Sequence, residues 1–421
     1  MGVLGGECFA DWGRKGVCLS LDQRRRKNAS KKERPQLVGP LFLLIMLSTF
    51  AYFVSVGALQ PTLPRFIEGP LGGDDVAVGV GIAGFSLSAV LMRPFVGRLS
   101  DAYGRKILIV SGGLIVGVAT LGLIWASSLP LLIFLRFVSG IGEAAFYVGA
   151  ATIINDLAPD ERRGEALSYF SLALFGGLAL GPVVGELMLE RFGYDAAWQI
   201  ATWTSVLAAL LAVRLPDTRP DAVRRKGLQK GGRIVHPAGV LPGAVLASAI
   251  LGLAGFATFV PLYALEIGLS GSRLVFGFFS VVALCIRLFG ARIPDILGAR
   301  RAGRIALVTN TAGFIVMAVW ATPVGLFVGT ALFSAGQSLV FPALMSLALA
   351  NAPAEERGAV VGTFTAFFDL AFGVGAISLG WVALQFGYSG VFVGAAIAAA
   401  LGLGVLQIAT KPSVTPSAEP A

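Results

Sequence analysis

Twelve runs of apolar residues, each long enough to cross a bilayer as a helix, constrain this chain more than any other feature. They cover 39–59, 76–96, 107–126, 130–154, 166–188, 196–213, 238–262, 272–291, 304–321, 324–348, 359–384 and 389–409. About 20 residues rising ~1.5 Å each match the hydrocarbon core of a membrane. The runs are continuously apolar, whereas a barrel strand alternates every second residue, so they predict helices. Composition agrees: 56% of the 421 residues are hydrophobic and 14% charged, against about 25% charged in a soluble domain. Such a chain cannot clothe a soluble globule in polar surface, which excludes a soluble multidomain enzyme, a disordered chain and a collagen-like repeat. Cys8, Cys18 and Cys285 are too few and too scattered for a disulfide framework or a zinc site. The lone His236 leaves no multi-histidine metal centre, and neither a metal nor a cofactor is expected.

The basic residues set an expected orientation. With the N-terminus inside, 27 of the 33 Lys and Arg residues fall on cytoplasmic segments, and the outer loops hold three: Arg65, Arg191 and Arg273. Both termini are therefore expected in the cytoplasm, with the chain in the cell membrane and the bilayer as its immediate partner. Residues 1–38 read as a basic cytoplasmic tail: they carry Arg24-Arg25-Arg26-Lys27 but no apolar stretch before a cleavage site. Gly6 stands where a myristoylation signal needs Ser or Thr, so no lipid is expected there. The net charge of +9 sits on membrane flanks, which argues against nucleic acid as a partner.

A repeat at a constant offset of 194 organises the rest. Arg93, Asp101 and Gly104 recur as Arg287, Asp295 and Gly298. Pro159, Glu161, Arg163 and Gly164 recur as Pro353, Glu355, Arg357 and Gly358, and Phe192-Gly193-Tyr194 returns as Phe386-Gly387-Tyr388. Gly142, Phe170 and Gly181 match Gly336, Phe364 and Gly375. Six spans per copy is an even number, so both copies enter the membrane the same way round. The expected fold is all-α: two six-helix bundles, 39–213 and 238–410, related by a parallel pseudo-two-fold axis. The polar segment 214–237 links them through the cytoplasm, and 411–421 forms a short cytoplasmic tail.

Three local runs carry further information. Between spans two and three lies Gly97-Arg98-Leu99-Ser100-Asp101-Ala102-Tyr103-Gly104-Arg105-Lys106. Gly97 and Gly104 permit a tight turn and close helix approach, Asp101 can take guanidinium partners, and Arg105-Lys106 can hold the anionic inner leaflet. The run resembles the loop motif of the major facilitator superfamily, with Ala102 in place of a usual Arg. The resemblance extends over roughly 39–410 and implies a secondary transporter. For Gly97, Asp101, Gly104 and Arg105, for the degenerate copy at Asp295, and for Arg163 and Arg357 at matching inner helix ends, it implies an ion-pair latch between conformations.

In span four, Arg136-Phe137-Val138-Ser139-Gly140-Ile141-Gly142-Glu143 looks like the same family's proton-coupling signature, departing at Ser139 and Glu143. Arg136, Gly140 and Glu143 share a helix face, and a charge inside a span needs a cavity or a partner. A coupling or substrate role and a buried structural Arg–Glu pair both fit. Gln337 is the uncharged repeat mate of Glu143. In span five, Gly177 to Glu186 resembles the antiporter signature of the family's exporters, with Glu186 replacing its last Gly. Pro182 bends the helix and Gly181 and Gly185 allow close packing.

Asp369 stands in the apolar, aromatic stretch Phe367–Phe372, where desolvation disfavours its charged form and makes it a candidate proton site. Its repeat mate is Phe175. Arg93 and Arg287, near inner helix ends, are expected to snorkel or to pair with Asp101 and Asp295. Glu186, within a turn of the outer interface, is expected to be wet.

Together these features predict a monomeric, proton-coupled exporter of small amphipathic or hydrophobic compounds, working by alternating access. Uptake of a small polar metabolite, a sugar or organic acid, is the alternative. Mid-span polar residues are few, namely Gln199, Asn310 and Gln337, which favours apolar cargo. No nucleophile elbow, phosphate loop or histidine pair points to an enzyme.

Overall fold

A computed structural model describes residues 39–159, 162–218, 235–289, 296–350 and 357–408. Among them the secondary structure is helical. In chain order the helices are α1 (Pro40–Glu68), α2 (Asp75–Tyr103), α3 (Arg105–Gly122), α4 (Leu129–Leu157), α5 (Arg163–Phe192) and α6 (Tyr194–Val213), then α7 (Pro237–Glu266), α8 (Arg273–Phe289), α9 (Ala299–Val319), α10 (Pro323–Ala350) and α11 (Arg357–Ile408). Ten helices among the described residues are long and apolar enough to cross a membrane. Their outward faces carry large apolar side chains such as Leu47, Val118, Phe134, Leu210, Val319 and Ile397. In water so broad an exposed apolar surface would be a liability; against lipid it is the solvated face. Trp125 and Trp320, near helix ends, are also exposed, as expected of indoles at a membrane interface.

Several helices run a few residues beyond the apolar runs read in the sequence, α2 as far as Tyr103, and two differ more. α1 continues past residue 59 to Glu68, with Pro61 and Pro64 inside it. Buried helices tolerate such prolines when neighbours and hydroxyls take up the freed carbonyls, and Thr62 Oγ1 donates to the Ala58 carbonyl there, at 2.9 Å. α11 is a 52-residue run with a non-helical Gly387 inside it. Unbroken, it would extend about 78 Å; at φ 69° the chain turns, a conformation that favours glycine. The same positive φ recurs at Gly193, the repeat mate of Gly387, and at the mates Gly104 and Gly298, each of which separates two helices.

The apolar cores are unevenly shared along the helices. At the end where α1 stops and α2 starts, a single core joins Leu63, Phe66, Ile67, Ile82 and Trp198 to Phe259, Leu262, Leu379 and Val391 from the later half of the chain. At the opposite end the cores are separate. One is built from Phe42, Ile45, Phe146, Ile153 and Ala212, another from Leu246, Leu344, Val360, Phe364 and Leu406. At the first of these ends α2 and α11 also cross closely. A Cβ added to Gly380 would meet the Asp75 carbonyl at 2.5 Å, and one on Gly79 would meet the Ala376 carbonyl. Glycine alone lets these backbones approach so closely.

Candidate functional site

Charged side chains buried among apolar helices are expensive unless paired, so their partners define the centre of the molecule. Arg93 of α2 lies ten residues before the helix ends, about 15 Å along its axis. Instead of snorkelling it turns between helices, while the side chain of Asp101, its other expected partner, lies outside the described residues. Its guanidinium pairs with Asp369 of α11 at 2.8 Å and stands 3.8 Å from Glu143 of α4. Its Cζ also lies 4.9 Å from the centre of the Tyr147 ring. Asp369 and Glu143 thus share one arginine, and the Arg93–Asp369 bond ties the first half of the chain to the second.

Arg136 and Glu143 do not pair. Seven residues separate them by about 10 Å of helix axis, so sharing a face does not bring them into contact. Both are buried, at 6% and 7% exposure. Arg136 stacks over the Phe85 ring at 4.5 Å, and its Nε has no hydrogen-bond partner among the described residues. Tyr52 of α1, fully buried, stacks on Phe146 with ring centres 3.8 Å apart. Gln337 belongs elsewhere: its Oε1 accepts from Asn310 Nδ2 at 3.2 Å. Next to it, a Cβ on Gly336 would collide with the same Asn310.

The α5 run packs against α1. A Cβ on Gly181 would come within 2.6 Å of Gly57 Cα, and one on Gly185 within 2.3 Å of the Ala58 carbonyl. Pro182 sits inside the helix with its ring against Gly57. Glu186, expected to be wet, is instead fully buried. Its Oε1 pairs with Arg65 at 2.6 Å and accepts from the Ser272 amide at 2.8 Å, while Oε2 accepts from the Ser272 hydroxyl at 3.1 Å. Arg273 pairs with Glu190 one turn further on. The turn between α7 and α8 folds over the end of α5 and covers the carboxylate, which explains why helix position alone misplaced it. Tyr388 Oη donates to Glu68 at 3.4 Å nearby.

The expected latch residues gather in part. Gly97 lies within α2, and Gly104 forms the junction to α3 with φ 106°. Arg105 is buried rather than held at the headgroups and pairs with Asp156 at the end of α4, at 2.9 Å. Asp156 also accepts from Thr218 Oγ1, at 2.6 Å, and a Cβ on Gly104 would strike the Asp217 carboxylate. The α2–α3 junction is thereby fastened to the end of α4 and to the chain leaving α6. Asp295 lies outside the described residues, as do the side chains of Asp101, Arg163 and Arg357.

Sequence reading undervalued Arg93, Tyr147 and Glu186. The available signal was the general expense of a charge within a span, which applied to Arg93 as much as to Arg136. Among the described residues no cluster of His, Cys, Asp and Glu could hold a metal ion.

A multi-pass bundle of apolar helices with paired charges sealed between them has the construction of a membrane transporter. The sequence profile of the Major Facilitator Superfamily matches residues 45–324 and 274–421, and the chain belongs to that family. It is 26% identical over 378 residues to an uncharacterised MFS-type transporter of Salmonella typhimurium, covering 86% of this chain and 95% of that one. It is 28% identical over 372 residues to another from Burkholderia mallei, covering 86% and 89%. Among solved structures, a point variant of the nucleoside transporter NupG superposes with a TM-score of 0.71 at 15% identity, over 88% of this chain and all of that one. The human organic anion transporter MFSD10 gives 0.69 at 19% identity, again over 88% and 100%. At these identities the structures share the fold.

Proposed function

We propose that this transporter is a proton-coupled exporter of small amphipathic or hydrophobic compounds, and that Asp369 and Glu143, sharing Arg93, are its coupling groups. The observation that carries the reading is the Arg93–Asp369 ion pair, 2.8 Å long, between α2 and α11. A proton on Asp369 removes the charge that holds Arg93, so the bond joining the two halves weakens when the proton arrives and reforms when it leaves. Glu143, 3.8 Å from the same guanidinium, can take over the arginine while Asp369 is neutral. A neutral carboxylic acid also crosses an apolar interior at far lower cost than a carboxylate.

The reading includes twelve spans in two parallel six-helix bundles, 39–213 and 238–410, that rock about a central path. The positive-φ glycines spaced by 194 support the repeat, and the break at Gly387 with the short α8 supports twelve crossings. One joint core at the Glu68 end and separate cores at the other support a state closed to the outside and parted toward the cytoplasm. The distribution of Lys and Arg supports cytoplasmic termini and the cell membrane. Export is favoured by the run Gly177–Glu186, which resembles the antiporter signature of the family's exporters.

The test is flux in proteoliposomes with an imposed pH gradient and a panel of amphipathic compounds. Asp369→Asn is expected to abolish gradient-driven accumulation while leaving exchange down a substrate gradient. Full gradient dependence in the Asp369→Asn, Glu143→Gln double variant would reject the assignment.

A further inference from the structure

The repeat places two arginines in equivalent settings and gives only one of them a carboxylate. Arg93 and Arg287 are 194 apart, and so are Phe175 and Asp369. In space the two pairs cross: Arg93 of α2 meets Asp369 of α11, while Arg287 of α8 lies over the ring of Phe175 of α5, with Cζ 3.6 Å from its centre. Each contact joins one half of the chain to the other. Where the first has an anion, the second has a phenyl ring.

A guanidinium over a ring gains far less than the cost of holding a cation among apolar helices without an anion. Arg287 has no carboxylate within ion-pair distance among the described residues, and its Nε is sealed without a hydrogen-bond partner. The rest of α8, Arg273–Phe289, carries no acidic residue. The balance around the interior is likewise positive: Arg93, Arg136 and Arg287 stand against Glu143 and Asp369. Arg93 engages both of those carboxylates, which among the described residues of the interior leaves none for Arg287. A planar guanidinium fork with free donors, lying on an aromatic face, is suited to a carboxylate or phosphate carried on an apolar body.

We propose that Arg287 is the anchor for an anionic group on the transported molecule, with the Phe175 ring packing against that molecule's apolar portion. The cargo is then a small amphipathic anion, held where the other copy of the repeat holds Asp369. This rests on the transport reading above and narrows its substrate class, but it does not depend on proton coupling.

The test is binding by the purified full chain in detergent, read as thermal stabilisation and needing no pH gradient. The probes are aryl-alkyl carboxylates of three chain lengths, each compared with its primary amide and its amine. The wild type is expected to bind at least one carboxylate ten-fold or more tighter than its amide and amine. Arg287→Gln is expected to erase that preference while amide binding persists, and Arg287→Lys to keep part of it. Phe175→Asp places a carboxylate opposite Arg287 and is expected to lose carboxylate binding without loss of thermal stability, which separates the role of the cation from a folding defect. Equal binding of carboxylate and amide by the wild type, no binding of any carboxylate, or an unchanged preference in Arg287→Gln would each overturn the proposal. Full gradient dependence in the Asp369→Asn, Glu143→Gln double variant would overturn the coupling assignment and leave this one standing.

Discussion

At the scale of single residues, what matters is which buried charge has which partner. Arg93 holds the interior together because it serves two carboxylates at once. Removing one partner of a buried pair typically costs about 3–5 kcal/mol, because the other is left charged and alone. Arg93→Leu therefore strands Asp369 and Glu143 together and should lower the unfolding temperature in detergent by several degrees. Adding Asp369→Leu should recover much of that loss, since the second change removes an orphan instead of making one. If the two effects simply add, Arg93 and Asp369 are not energetically coupled. The residues in this cluster were visible in the sequence as charges inside apolar runs, and Asp369 and Glu143 were read there as candidates. Their pairing was not visible. Periodicity puts Arg136 on the face of Glu143 but says nothing about α2 or α11, whose Arg93 and Asp369 arrive from 50 residues before and 226 residues after Glu143. Glu186 shows the same limit: a turn near a helix end reads as wet until the α7–α8 connection, 86 residues later, is seen lying on it.

At the scale of elements, glycine sets how closely helices approach. α1 and α5 touch along Gly57, Gly181 and Gly185, where an added Cβ would stand 2.3–3.1 Å from backbone atoms of the other helix. Backbone cannot give way as a flexible side chain can, so the helices must separate and leave voids. Gly185→Ala should destabilise the protein by about 1–3 kcal/mol, the usual cost of overpacking. Gly176→Ala, whose Cβ would sit in ordinary contact with the Phe50 ring at 3.4–3.5 Å, should be nearly neutral. Unfolding midpoints of the two variants measured side by side in one detergent check this; equal loss in both would mean that the close crossing is not what limits the site. Small residues along α5 were legible in the sequence as a packing stripe. Which helix they faced was not, because a glycine pattern marks a close approach without naming the neighbour. The apolar run read in the sequence ends at residue 59, whereas α1 runs on to Glu68 through Pro61 and Pro64, residues that normally stop a helix in water. Buried between other helices they do not.

At the scale of the whole molecule, the two ends are held differently. The Glu68 end has the joint core, the α2–α11 glycine contacts and the buried carboxylate of Glu186 with Arg65 and Ser272. On the proposed alternating access, conversion to the opposite state breaks these together, since Ser272 would move with the second half of the chain and Glu186 with the first. Apolar contact is non-directional and tolerates sliding, whereas the Glu186 contacts are lost within about an ångström of movement. Glu186 should therefore set the threshold for opening at that end. Ser272 is fully buried and reports on it directly. In a background with Cys8, Cys18 and Cys285 changed to serine, Ser272→Cys should react slowly with a polar maleimide in detergent. Adding Glu186→Gln removes the charge that binds Arg65 but keeps the shape, and should raise the labelling rate several-fold. A rate unmoved by Glu186→Gln would place the threshold in the apolar core instead. The same background then allows the two ends to be compared: if labelling of Ser272→Cys also rises in Asp369→Asn, loss of the central ion pair and opening of the distant end are one transition.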